Sequence, residues 1–233
     1  MVNPTPLILI PGVLCSARLF MPQVVALWPS GPVTVADHRR DRTMTAIAER
    51  ILADAPARFA LGGLSMGGYL AFEIMRLAPE RVTRLALLDT SARPDTPEQT
   101  QARQKLIAWA KAGKLDDVIA TLAPRFLNAA HQANAAMVRT VKEMAEDTGA
   151  EAFVRQQEAV IARVDSRPIL PAIKCPTLVL VGDGDIVTPP EMSQEMASAI
   201  PGARFVTVRD CGHLATIEQP AAVNAAMSEW RTL

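Results

Sequence analysis

The sequence is sparing in the residues that would mark a metal protein, a disulfide scaffold or a nucleic-acid binder. Its three cysteines, Cys15, Cys175 and Cys211, are odd in number and none has C-x-x-C spacing. Neither a disulfide framework nor a zinc site is indicated, and a reducing compartment is expected. Lysine plus arginine equals aspartate plus glutamate at 24 each, so there is no net field to hold a polyanion. The one basic cluster, Arg39, Arg40 and Arg42, is interrupted by Asp41, and nucleic acid is not an expected partner. No apolar run approaches the roughly 20 residues of a membrane span. The opening stretch MVNPTPLILIPG has no basic region before its short apolar run, unlike a signal peptide. These absences lead to the expectation of a cytoplasmic protein with no membrane partner. Internal repeats and low-complexity tracts are also missing, and 233 residues suit one α/β domain with an insertion.

What is present is alternation. Short apolar runs at Leu7 to Ile10, Val33 to Ala36, Phe59 to Leu61, Leu85 to Leu88, Leu178 to Val181 and Phe205 to Val208 read as buried strands. Between several of them the spacing is helical, as in Met44, Ile47 and Ile51, or Leu70, Ile74 and Leu77. Strands alternating with helices predict a parallel sheet covered on both faces. From 92 to 167 no strand pattern occurs, and three or four helices are predicted, with Gly113 and Gly149 as helix-ending residues. The expected organisation is therefore a core of residues 1–91 and 168–233, with 92–167 a helical lid inserted between two neighbouring strands. A terminal helix is predicted from Gln219 to Trp230, with Val223, Met227 and Trp230 on one face.

The chemistry-bearing signal follows the third run. Phe59-Ala60-Leu61 leads into Gly62-Gly63-Leu64-Ser65-Met66-Gly67-Gly68, which contains Gly-x-Ser-x-Gly. A serine on a sharp strand-to-helix turn adopts strained backbone angles, and side chains two residues before and after it would collide. Glycine at 63 and 67 removes that collision. The alternative, a glycine-rich junction with an incidental serine, is weakened by this context.

A serine hydroxyl needs a base within hydrogen-bond reach to act as a nucleophile. The chain has three histidines. His213, in Asp210-Cys211-Gly212-His213-Leu214, follows the last strand and is the expected base. His38, among arginines, reads as a surface residue, and His131 falls within the helical insertion. For the acid that orients the ring, Asp185 in Gly182-Asp183-Gly184-Asp185 is preferred because the glycines let the chain leave the strand before it. Asp183 and Asp89 are the alternatives. The loop Pro11-Gly12-Val13-Leu14 leaves the first strand close to the serine, so the Val13 and Met66 amides are expected to bind an oxyanion. Leu14, Trp109, Phe126 and Leu214 are the candidate substrate-binding side chains, although core packing explains the aromatics equally well. No metal and no cofactor is indicated.

Taken together, these four motifs resemble the α/β-hydrolase superfamily over nearly the whole chain, and within it the small carboxylesterase-like enzymes related to pimeloyl-carrier-protein methyl esterase. The matching segments are Pro11-Gly12-Val13-Leu14, Gly63-Leu64-Ser65-Met66-Gly67, Gly182-Asp183-Gly184-Asp185 with Pro189, and Gly212-His213. Pro11 stands where many relatives have histidine, and the chain starts where the family's third strand would. The resemblance implies an α/β-hydrolase fold with a mainly parallel six-stranded sheet in the order 4-3-5-6-7-8 of the family's naming. It implies Ser65, Asp185 and His213 as nucleophile, acid and base, and small-molecule esters or thioesters as substrates. Carbon–carbon bond hydrolysis, lactone opening, lyase-type elimination and a vestigial ligand-binding site remain as rivals. Aspartate-nucleophile chemistry is disfavoured by Ser65 itself.

Overall fold

The computed structural model describes residues 5–233. Six strands form one sheet, β1 (Leu7–Ile10), β2 (Val33–Val35), β3 (Phe59–Leu64), β4 (Val82–Leu88), β5 (Thr177–Gly182) and β6 (Arg204–Val208). They are hydrogen-bonded in the order β2-β1-β3-β4-β5-β6 and every pair is parallel. This is the order the resemblance implied. The crossovers carry α1 (Met21–Leu27), α2 (Met44–Asp54) and α3 (Met66–Leu77). Between β4 and β5 run α4 (Pro97–Lys111), α5 (Leu115–Phe126) and α6 (Ala135–Ile161), and α7 (Pro190–Ala199), α8 (Ala215–Glu218) and α9 (Pro220–Thr232) complete the chain.

Side chains alternate across the sheet because the strand repeat is two. Ile8, Ile10, Phe59, Leu61, Leu85 and Leu87 share a layer with residues of α2, α3 and α7. Leu7, Leu9, Ala60, Ala86 and Leu88 share the other with α1 and α9. Burial on both faces is why these strands read as continuous apolar runs. Each fully buried Leu, Ile or Phe here contributes about 1.5–3 kcal/mol.

Local sequence sets several helix ends. Thr43 accepts from the Ala46 amide to start α2. Thr96 and Gln99 form a reciprocal capping box ahead of α4, with Pro97 in its first turn. Gly113 follows α4 with φ of 76°. Gly149 has φ of 75° and ψ of 163°, non-helical angles that end one helical stretch of α6 and begin a second. The segment was expected to hold three or four helices, and it holds α4, α5 and these two stretches. Its own apolar cluster joins Val118, Ile119, Phe153 and Val154 to Leu14 of the loop after β1, so these helices rest directly on the ends of the sheet.

One histidine sits differently from expectation: His38 is 2% exposed rather than a surface residue. His131 lies in the turn between α5 and α6. Among the described residues no helix is long and apolar enough to cross a membrane.

Candidate active site

The strand β3 ends at Leu64, and the next residue, Ser65, has φ of 56° and ψ of −116°. Few non-glycine residues occupy this region, and holding one there stores about 1–3 kcal/mol of strain. The turn leaves no room for side chains on either flank. A Cβ on Gly63 would lie 2.1 Å from the Gly67 carbonyl oxygen, and one on Gly67 would lie 1.9 Å from that of Ile10. Ser65 occupies the N-cap position of α3, yet its hydroxyl caps no amide of that helix. It is instead directed to the loop after β6.

There His213 Nε2 lies 2.9 Å from Ser65 Oγ, and His213 Nδ1 lies 2.8 Å from Asp185 Oδ2. The carboxylate only accepts, so Nδ1 carries the proton and Nε2 is left as acceptor for the serine hydroxyl. His213 and Asp185 are each 2% exposed. Burial alone would raise the Asp185 carboxyl, but the adjoining His213 ring and hydrogen bonds from Thr188 hold it below its ordinary value. Val187 and Thr188 amides donate to its Oδ1, and the Thr188 hydroxyl donates to Oδ2.

The two alternative acids have other positions. Asp183 accepts from the Cys211 amide. Asp89, fully buried with φ of 42°, accepts from the Gly182 and Ala215 amides. Burial and the nearby Asp185 charge push its carboxyl upward. Asp89 thus pins the ends of β5 and the histidine loop together rather than touching the ring.

The loop after β1 completes one wall. Leu14 has φ of 57° and its amide donates to Gln156 Oε1 at 3.1 Å. His38 Nε2 lies 2.9 Å from the Gly12 carbonyl oxygen and 3.1 Å from Gln156 Nε2. Because the carbonyl only accepts, Nε2–H donates to Gly12 and the Gln156 nitrogen is a packing contact. Burial lowers the His38 ring's basicity, with the Gly12 carbonyl partly opposing, and keeps it neutral. Among the described residues, the Val13 and Met66 amides donate to no protein acceptor. Both flank Ser65, Val13 on the facing loop and Met66 at the first turn of α3, where the helix dipole is positive.

A cleft of about 140 Å³ opens over Ser65 and His213, between the strand ends and helices α4 to α6. Of the expected binding residues, Phe126 and Leu214 line it. Leu14 and Trp109 do not. Leu14 is turned by its backbone into the cluster under α5 and α6, and Trp109 is 41% exposed on the outer side of α4. Five residues with structural or lining positions carried no sequence signal of their own: His38, Arg103, Arg125, Gln156 and Glu218. Glu218 Oε1 accepts from the Gly212 and Leu214 amides, and its Oε2 accepts from the Asn128 amide and from His131 Nδ1. Among the described residues no group of three or more His, Cys, Asp or Glu side chains is disposed around a metal position.

The chain belongs to the alpha/beta hydrolase family, whose model matches residues 7–226, and it is an enzyme of that type. Among curated relatives, a protein of Mycobacterium tuberculosis named as a non-heme bromoperoxidase is 30% identical over 78% of this chain and 71% of its own. A pimeloyl-[acyl-carrier protein] methyl ester esterase of Neisseria meningitidis is 27% identical over 83% of this chain and 78% of its own. Among solved structures, a thermophilic esterase from Thermogutta terrifontis superposes with a TM-score of 0.88 at 30% identity, covering 98% of this chain and 89% of that one. The enol-lactonase from Burkholderia xenovorans LB400 gives 0.90 at 27% identity, covering 99% and 92%.

Proposed function

We propose that the protein hydrolyses carboxylic esters of small molecules through an acyl-enzyme on Ser65, with His213 as general base and Asp185 as the acid that orients it. The unbroken hydrogen-bonded chain from Asp185 through His213 to Ser65, at the strained turn before α3, carries this reading. His213 Nε2 takes the hydroxyl proton as Oγ attacks the carbonyl carbon. The carbonyl electron pair moves onto oxygen, and the Val13 and Met66 amides hold the negative charge. When the tetrahedral centre collapses, the protonated ring gives its proton to the departing alkoxide. Water then repeats the sequence on the acyl-enzyme and releases the acid. Asp185, held ionised, steadies the imidazolium each time the ring is charged.

Residues 92–167 act in this reading as a lid, with α4 and α5 covering the cleft and Phe126 packed 5.9 Å from the His213 ring. The free thiols of Cys15, Cys175 and Cys211 support a reducing, cytoplasmic setting. Lactone opening is the second reading, favoured by the similarity to the Burkholderia enol-lactonase, and it uses the same steps on a cyclic ester.

The test is labelling by a fluorophosphonate and turnover of 4-nitrophenyl acetate in the wild type and in Ser65→Ala. The wild type is expected to label and turn over, and the variant to do neither while remaining folded by circular dichroism. An unlabelled wild type, or undiminished turnover in the variant, overturns the assignment.

A further inference from the structure

The cleft over Ser65 is lined by apolar side chains and by two cations. Arg103 of α4 and Arg125 of α5 both line it, whereas no aspartate or glutamate does. The surrounding charges do not cancel. Asp95, with a side chain 2% exposed, accepts from Arg103 Nε at 2.7 Å and from Arg163 Nη1 at 2.7 Å, so one carboxylate serves two cations. Arg163 lies 4.3 Å over the ring of Tyr69, itself a wall of the cleft. Arg125 has no carboxylate partner among the described residues. Three guanidiniums against one carboxylate leave an excess of two positive charges along this wall. The negative charge of Asp185 lies below, engaged by His213.

Arg103 is also held in place. Its Nη1 donates to Gln157 Oε1 at 2.9 Å, and with Nε on Asp95 the plane of the guanidinium is fixed while Nη2 takes no partner among the described residues. The free Nη2 is therefore held in place to donate to one oxygen of an incoming carboxylate. Arg125 lines the cleft while remaining open to solvent, and a neutral ester would leave it without an anionic partner.

We infer that the substrate carries a carboxylate, bound by Arg125 and Arg103 while the ester carbonyl lies at Ser65. The substrate class is the half-ester of a small dicarboxylic acid or the ester of a small hydroxy acid. Size agrees with this. A cavity of about 150 Å³ holds a benzene ring, so the cleft of about 140 Å³ has room for a compact acid. The carbonyl end of this inference rests on the ester-hydrolase reading, but the carboxylate end does not.

Two measurements separate the two claims. The first compares kcat/KM for monomethyl glutarate with its carboxamide analogue methyl glutaramate, and for O-acetylglycolate with its amide, by proton release at fixed pH. The wild type is expected to prefer at least one acid over its amide by about tenfold or more. That preference should shrink as salt rises and be largely lost, through KM, in Arg125→Gln, with Arg125→Lys intermediate. Equal turnover of both acids and their amides, or a preference untouched in Arg125→Gln, overturns the carboxylate site while leaving the hydrolase reading intact. The second measures calorimetric binding of monomethyl glutarate and O-acetylglycolate to Ser65→Ala and to Ser65→Ala with Arg125→Gln. Arginine-dependent binding with no turnover by the wild type upholds the carboxylate site and overturns the hydrolase reading. No binding of either acid to Ser65→Ala overturns the site.

Discussion

Glu218 grips His213 by the backbone on both sides. Its Oε1 accepts from the Gly212 amide at 2.9 Å and the Leu214 amide at 3.2 Å. Its Oε2, turned the other way, takes the Asn128 amide at 2.7 Å and His131 Nδ1 at 2.9 Å. One buried carboxylate therefore ties the histidine loop to the segment that follows α5, and the Phe126 carbonyl accepts the His213 amide to close the same junction.

Glu218→Gln replaces one acceptor oxygen by an NH₂ that faces donors. We expect kcat for 4-nitrophenyl acetate to fall by about tenfold or more, since small misplacements of a reacting group are amplified in rate. KM should change less, and stability should drop by about 1–3 kcal/mol in urea denaturation. An unchanged kcat would show that the ring is held by Asp185 and Ser65 alone.

Gly67→Ala places a Cβ 1.9 Å from the Ile10 carbonyl oxygen. Backbone on both sides must move, so the expected cost is about 3 kcal/mol, at the upper end of overpacking effects. Turnover should be lost in whatever fraction folds. Gly202→Ala, where nothing lies within 4 Å of the new Cβ but φ is 70°, should cost only about 1 kcal/mol. Denaturation midpoints of the two variants decide the ordering.

His38 is buried neutral, so its folded-state proton affinity lies below that of the unfolded chain. The unfolded state then binds more protons as pH falls below the ordinary histidine value of 6.5, and stability declines through that window. His38→Gln removes this term. Its melting temperature should vary less than the wild type's from pH 7 to pH 5, although it lies lower at pH 7 because the Gly12 carbonyl loses a well-placed donor. Parallel curves for the two proteins would refute the assignment.

Asp95→Asn leaves Arg163, whose side chain is 8% exposed, without its counter-charge. A loss of about 3 kcal/mol is expected, the lower end for a broken buried pair because Arg103 keeps partial contact with water. Asp147→Asn is the control. It breaks the pair with Arg18, whose side chain is 49% exposed, and should shift stability by no more than about 0.5 kcal/mol.

The inner strands were legible because they are largely buried on both faces and punctuated by turn residues, so their apolar runs stand out, whereas the edge strands β2 and β6 are partly exposed. Ser65, His213 and Asp185 were legible for a related reason. Each lies just past the end of a strand in a stretch whose glycines have local steric causes, and the collisions at Gly63 and Gly67 are what that spacing encodes. The walls of the cleft were not legible. Trp109 and Arg103 lie on one helix, and nothing in its sequence says which face looks inward. Here the arginine does and the tryptophan does not. Glu218 and Gln156 act through partners brought near only by folding, and a lone polar residue in an apolar stretch does not name its partners in advance.

Leu85 and Leu88 of β4 are register partners of Thr177 and Leu180 of β5. The strands are parallel, so the chain leaves the sheet at the C-terminal end of β4 and re-enters at the opposite end of its neighbour β5. The ends of the helical segment between them are spaced by the sheet and not by its own contents. Because the Phe126 carbonyl bonds the His213 amide and Glu218 joins the Asn128 and Gly212 amides, the segment that walls the cleft also holds the histidine loop in place.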